Sequence, residues 1–209
     1  MLCLWSITHA LYFSLLLFMK GGIIVKKQEM TRLWDNGKMI PVTLVVVPHQ
    51  VITRYKTTEN DWYNAVIVWV PGKKSGTFSL LKEFPCSQEW MLEHPVGSPF
   101  IENKLVDGNT HTIVGISKWK WFQWVIKRHH FGWWPDTHGS KFHRAWWSTG
   151  NRKPRRTHKN HPMAWHMWSD KTTLKWIKIV SQYTIDTQHV VAFYGSLPGA
   201  YNTSLFVYL

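Results

Sequence analysis

Between Ser117 and Trp168 the chain carries eleven lysines and arginines against a single acid, Asp136. The cations are Lys118, Lys120, Lys127, Arg128, Lys141, Arg144, Arg152, Lys153, Arg155, Arg156 and Lys159. Seven of the twelve histidines and nine of the fifteen tryptophans share this stretch, which lacks the Leu, Ile and Val needed for a core. It shows no sustained helical or strand period. Apolar burial alone cannot offset the ordering entropy of such a segment. It is expected to be poorly ordered in isolation and to order against a partner. Any hydrophobic core must therefore come from the flanks.

The flanks have the opposite character. Pro41-Val42-Thr43-Leu44-Val45-Val46-Val47 is a β-branched run suited to a buried strand, and Tyr63 to Val70 is a second, ended by Pro71-Gly72. Asp35-Asn36-Gly37 supplies turn residues. After the basic stretch, Leu174 to Val180 alternates in part, His189 to Tyr194 reads as a strand, and Leu205 to Tyr208 as another. Gly195-Ser196-Leu197-Pro198-Gly199 forms the turn between the last two. The predicted organisation is a mainly β body from residues 22–114 and 170–209, with a basic extension, residues 115–169, inserted in the chain. No internal repeat is present.

Lys and Arg total 25 against 12 Asp and Glu, a formal charge of +13. That charge attracts polyanions, meaning nucleic acid, an anionic membrane or an acidic partner, and says little about fold. Cys3 and Cys86 are too few and too far apart for a disulfide framework or a Cys-based zinc site. Residues 1–21 stand apart. Leu11 to Phe18 resembles the apolar region of a signal peptide, but no Lys or Arg precedes it and Lys20, not a small-residue cleavage site, follows. Ser6, Thr8 and His9 make it a marginal spanning helix. The first expectation is that Met19 is the true start; a signal or membrane anchor is the second.

Within the basic stretch, Ser117-Lys118-Trp119-Lys120-Trp121-Phe122 and Lys127-Arg128-His129-His130 set cations among aromatics. Cations neutralise phosphates, and aromatic or guanidinium planes stack on unpaired bases. Arg152-Lys153-Pro154-Arg155-Arg156 adds further phosphate contacts, so RNA binding outweighs a merely solvated basic face. His138, His143, His158, His161 and His166 match no zinc spacing and have no nearby Cys or Glu, so no metal site is expected. Asp136-Thr137-His138-Gly139-Ser140 holds the residue types of a hydrolase, but a triad is assembled in space and not by adjacency. The stretch reads first as a tight turn. No phosphate-cradling Gly-rich loop, nucleophile elbow or paired-carboxylate motif occurs.

These residues together resemble a known family, the universal large-subunit ribosomal protein L-three of bacterial type. Lys26-Lys27-Gln28-Glu29-Met30-Thr31-Arg32 resembles the family's Lys-Lys-x-Gly-Met-Thr signature, and Ile40-Pro41-Val42-Thr43 follows it. Gly115 to Trp124 resembles Gly-x-Ser-Lys-Gly-Lys-Gly-Phe-x-Gly, and His138-Gly139-Ser140 with His143-Arg144 resembles His-Gly-Ser…His-Arg. Met163 to Trp168 and Gly195 to Gly199 complete a likeness running from about Gly22 to the C-terminus.

The departures are systematic. Trp119, Trp121, Trp124, Trp165 and Trp168 stand where the family has glycine, Trp62 is expected to as well, and Val25 and Glu29 also replace glycines. Tryptophan cannot replace a glycine that adopts positive φ or lies close to RNA without clashes. The pattern predicts UGA codons that mean glycine in the source and were translated as tryptophan. Gly150 to Met163 matches poorly.

The resemblance implies a closed β-barrel body of the translation-protein type, with a long irregular extension reaching into ribosomal RNA towards the peptidyl-transferase region. It implies a non-enzymatic structural protein of the large subunit, cytoplasmic in the ribosome, binding large-subunit ribosomal RNA near its 3′ domain and supporting early assembly. The implied partners are that RNA and neighbouring large-subunit proteins, with no cofactor, metal or small-molecule substrate. The expected RNA-binding residues are Lys26, Lys27, Lys118, Lys120, Lys127, Arg128, His129, His138, Lys141, His143, Arg144, Arg152, Lys153, Arg155, Arg156 and Lys159. Two rival readings are a membrane-associated basic nucleic-acid-binding protein anchored by residues 1–19, and a hydrolase using His138 and Ser140.

Overall fold

Six strands, separated in sequence, pair into one closed ring. The computed structural model describes residues 21–35, 37–72, 78–99, 105–132, 135–139, 143, 148–185 and 188–209. In chain order the strands are β1 (Gly22–Asp35), β2 (Lys38–Val47), β3 (Val51–Lys56), β4 (Ala65–Pro71), β5 (Phe78–Pro85), β6 (Thr110–Ile116), β7 (Lys120–Gln123), β8 (Trp165–Met167), β9 (Lys171–Ile185), β10 (Gln188–Tyr194) and β11 (Ser204–Tyr208). Among the described residues, short helices join them: α1 (Thr58–Asp61), α2 (Gln88–Glu93) and α3 (Val125–His129). The ring runs β1-β11-β6-β9-β10-β2 and returns to β1, every pairing antiparallel. Strands β3, β4 and β5 form a second sheet, and β7 pairs with β8 in a third. The mainly β expectation holds: Pro41 to Val47 lies within β2, and the run from Tyr63 to Val70 enters β4 at Ala65. The expected Met19 start and the signal-like run lie outside the described residues, as does Cys3.

The chain divides into two compact units. One comprises the described residues up to Ser117 together with those of Lys171–Leu209, and the other the described residues of Lys118–Asp170. The core of the first is a single apolar cluster. Ile23, Ile24 and Val25 of β1 are all fully buried, because one face turns into the ring and the other is covered by the β3-β4-β5 sheet. Phe84 of β5 makes that join. Its ring lies edge-on to Tyr208 at 5.4 Å and to Phe206 at 6.3 Å, both on β11. It also passes over Gly22, where a Cβ would come within 2.2 Å of its Cδ1. A glycine is required there for space, not for its dihedral freedom.

Strand β2 stops pairing with β1 at Lys26↔Val46, which strands the backbone of Ile24. The buried Gln50 replaces the missing strand. Its Oε1 accepts from the Ile24 N–H at 3.0 Å and its Nε2 donates to the Ile24 carbonyl at 3.0 Å. Burial pushes the Cys86 thiol up to about 12, which leaves it protonated and unreactive at neutral pH. Burial also lowers the pKa of His111 on β6, although a hydrogen bond with the Tyr208 backbone opposes it.

Strand β9 carries a bulge. Between the pairs His111↔Ile177 and Ile113↔Leu174, two residues of β9, Lys175 and Trp176, face one of β6. The extra residue shifts the alternation by one. Lys171, Thr173 and Lys175 are exposed before it and Lys178 after it, while Ile179 turns fully inward.

Candidate nucleic-acid interface

The unit Lys118–Asp170 is organised around the β7-β8 ribbon, a pairing with no sequence period to announce it. Lys120 faces Met167, Phe122 faces His166 and Gln123 faces Trp165, with a register shift around Trp121. Helix α3 follows β7 and is anchored by the buried Val125. Its last turn presents Lys127, Arg128 and His129, cations placed where the helix dipole favours them. The Arg128 guanidinium donates to the Met163 carbonyl, and His129 Nε2 lies 3.1 Å from the same oxygen. These bonds tie α3 to the residues leading into β8. Arg128 and His129 therefore hold the unit's own fold, and Lys127 beside them is exposed.

The remaining expected residues separate by environment. Lys118 is exposed, and Lys120 places its Nζ 3.4 Å from the centroid of the Trp168 ring. His138 is exposed at φ 59°. His143 Nδ1 lies 3.2 Å from Asp136 Oδ1, on an exposed pair. Asp136 thus engages His143 and not His138, the geometry opposite to the one a His138-based hydrolase would need; Ser140 lies outside the described residues. Lys141 and Arg144 also lie outside them. Arg152, Lys153, Arg155, Arg156 and Lys159 occupy one continuously exposed stretch, residues 150–160. Among the described residues none of these five is paired with an acid. Five unneutralised cations within eight positions form a concentrated positive surface. Among the described residues no group of three His, Cys, Asp or Glu is placed to hold a metal ion, and no helix is long and apolar enough to cross a membrane.

Lys26 and Lys27 belong to the other unit, on β1, and both are half-buried. Lys27 Nζ donates to the Leu197 carbonyl at 2.7 Å and the Gly199 carbonyl at 2.9 Å. Its ammonium clamps the Gly195–Gly199 turn across about 170 positions of chain. Replacing Lys27 with Met removes both bonds and is expected to cost about 1–3 kcal/mol in chemical denaturation, because two carbonyls lose a charged donor.

The exposed β9 lysines, Lys171, Lys175 and Lys178, are a basic strip that sequence reasoning missed. Their spacing hides the common face, since only the bulge at Lys175-Trp176 brings Lys178 into phase with the others.

No family model matches the chain. Curated relatives do. Over 206 residues it is 33% identical to the large ribosomal subunit protein uL3 of Sulfurihydrogenibium sp. strain YO3AOP1, covering 90% of each chain. Over 207 residues it is 32% identical to the large ribosomal subunit protein uL3 of Francisella tularensis subsp. novicida strain U112, covering 90% of this chain and 97% of the relative.

Proposed function

Because the chain belongs to the uL3 family of large ribosomal subunit proteins, we propose that it is a scaffold that binds large-subunit ribosomal RNA near its 3′ domain. It is a structural protein and not an enzyme. On this reading the β-rich unit, with its ring taken as a barrel of the translation-protein type, docks on folded RNA. The unit Lys118–Asp170 is the extension that neutralises phosphates towards the peptidyl-transferase region. Neighbouring large-subunit proteins complete its surroundings in the cytoplasmic ribosome, where it binds early in assembly.

The observation that carries the reading is the exposed run Arg152, Lys153, Arg155, Arg156 and Lys159, which has no acidic partner among the described residues. Lys118, Lys120 and Lys127 extend the basic surface, with Lys141 and Arg144 proposed from sequence alone. Each phosphate neutralised releases condensed counterions, so affinity falls with salt in proportion to the number of phosphates engaged.

Helix α3 provides the direct test. Replacing Lys127 and Arg128 with Ala together weakens binding across RNA sequences and makes the log–log salt dependence shallower by about 0.7–0.9 for each phosphate left without its cation. Lys127→Ala alone isolates the charge, because it leaves the Arg128–Met163 tie intact. An unchanged slope for Lys127→Ala would remove that lysine from the interface.

A further inference from the structure

The ten described tryptophans fall into two groups. Trp90 is 3% exposed, stacked on His94 at 4.2 Å between centroids and edge-on to Tyr55 at 6.3 Å. Trp69 is half-buried in β4, between Val68 and Val70 of the core. The other eight are all at least 41% exposed: Trp34, Trp62, Trp119, Trp121, Trp124, Trp165, Trp168 and Trp176. Trp62 reaches 93%. A side chain that is highly buried on average in folded proteins is here mostly in solvent.

The backbone makes a second, independent distinction. Trp62, Trp168 and Trp176 have φ of 68°, 69° and 60°, in the left-handed region. The other non-glycine residues there are His130, His138, Asn160, Ser169 and Asn202. His and Asn visit this region readily, whereas a bulky residue there is an outlier. Each of the three tryptophans also occupies a place that glycine ordinarily fills. Trp62 is the left-handed C-cap of α1. Trp176 is in the β9 bulge, a type of site where a left-handed glycine is common. Trp168, at positive φ, begins the three-residue connection from β8 into β9. Neither Trp69 nor Trp90 has a positive φ.

We propose that the eight exposed tryptophans stand at glycine positions, encoded by UGA codons that the cell reads as glycine, and that Trp69 and Trp90 are true tryptophans encoded by UGG. The chemistry of decoding allows it. UGA differs from the glycine codon GGA only in its first base, so one anticodon change lets a glycine tRNA read it. Five of the eight positions, Trp119, Trp121, Trp124, Trp165 and Trp168, lie in or beside the β7-β8 ribbon. With glycine there, the ribbon presents bare backbone N–H groups beside Lys118 and Lys120 in place of an aromatic surface. Backbone without a Cβ can approach a phosphate chain closely. The identity of that partner rests on the RNA reading above; the glycine assignment does not.

The test is tandem mass spectrometry of the protein purified from its own cells, read beside the codons of its gene. The expected result is glycine at positions 62, 168 and 176 and at the other five exposed sites, each with a UGA codon. Positions 69 and 90 are expected to hold tryptophan with UGG. Tryptophan with UGG at 62, 168 and 176 would overturn the proposal. Glycine at position 90 would overturn the division by burial on which it stands. RNA binding is not read in this experiment, so the RNA reading can fail or hold separately.

Discussion

Alanine at Arg152, Lys153, Arg155, Arg156 and Lys159 together makes the log–log salt dependence of ribosomal RNA binding shallower by about 3.5–4.5, at about 0.7–0.9 for each phosphate neutralised. This is the largest functional effect expected from any local change. All five side chains are solvent-exposed, and among the described residues none has an acidic partner, so each is available to a phosphate. None belongs to the apolar core, and the substitutions should leave the melting temperature of the free protein nearly unchanged. The measurement is a salt titration of affinity for large-subunit RNA, with thermal unfolding as the control. A slope within error of the unaltered chain would place the RNA on a different face, and the exposed lysines of β9 would be the next candidates. Loss of binding at unchanged slope would mean a folding defect in the loop and not the removal of phosphate-binding cations.

Phe84→Ala is expected to cost about 3–5 kcal/mol of stability, the range for deleting a buried aromatic side chain. Phe84 is fully buried and belongs to the sheet β3-β4-β5, yet its ring packs on β11 and over Gly22 of β1. Removing it opens a cavity where the sheet meets the ring. The same join can be attacked from the other side. Gly22→Ala would put a methyl group about where the Phe84 ring now lies, and overpacking of a closed core costs about 1–3 kcal/mol. Denaturant unfolding of both variants checks the assignment. If Phe84→Ala loses less than about 1 kcal/mol, the sheet does not depend on this packing. The joint variant discriminates further: residues that touch are non-additive, so Gly22→Ala should cost much less in the Phe84→Ala background, where the cavity accepts the methyl group.

Much of the β architecture was legible because strand signals are local. Pro41 to Val47 and Tyr63 to Val70 are β-branched runs; the first lies within β2, and the second supplies β4 from Ala65 onward. Gly37 lies between β1 and β2 at φ 75°, as the turn residues around it suggest; Asn36 is outside the described residues. The β7-β8 ribbon was not legible. Trp165-His166-Met167 has no alternation, and its partner strand is more than forty positions away. Of the candidate site, the exposed cations could be named from charge alone. Their division of labour could not. Lys27 is spent on two carbonyls and Arg128 on another, and no local pattern distinguishes them from the exposed Lys127.

The sequence by itself determined which parts of the chain could build a core and which could not. Apolar β-branched content is a property of short windows, and so is the excess of cations from Ser117 to Trp168. Only the tertiary structure decided how the strands close. β1 pairs with β11 from the far end of the chain, and β6 reaches its partners β9 and β11 across the whole basic stretch. It also decided which lysines share a face, through one extra residue in β9, and which tryptophans sit in backbone that glycine prefers. The reason is physical. Composition fixes the free energy a segment can gain by burial, while register, bulges and long-range hydrogen bonds depend on which distant segment supplies the other half of each pairing.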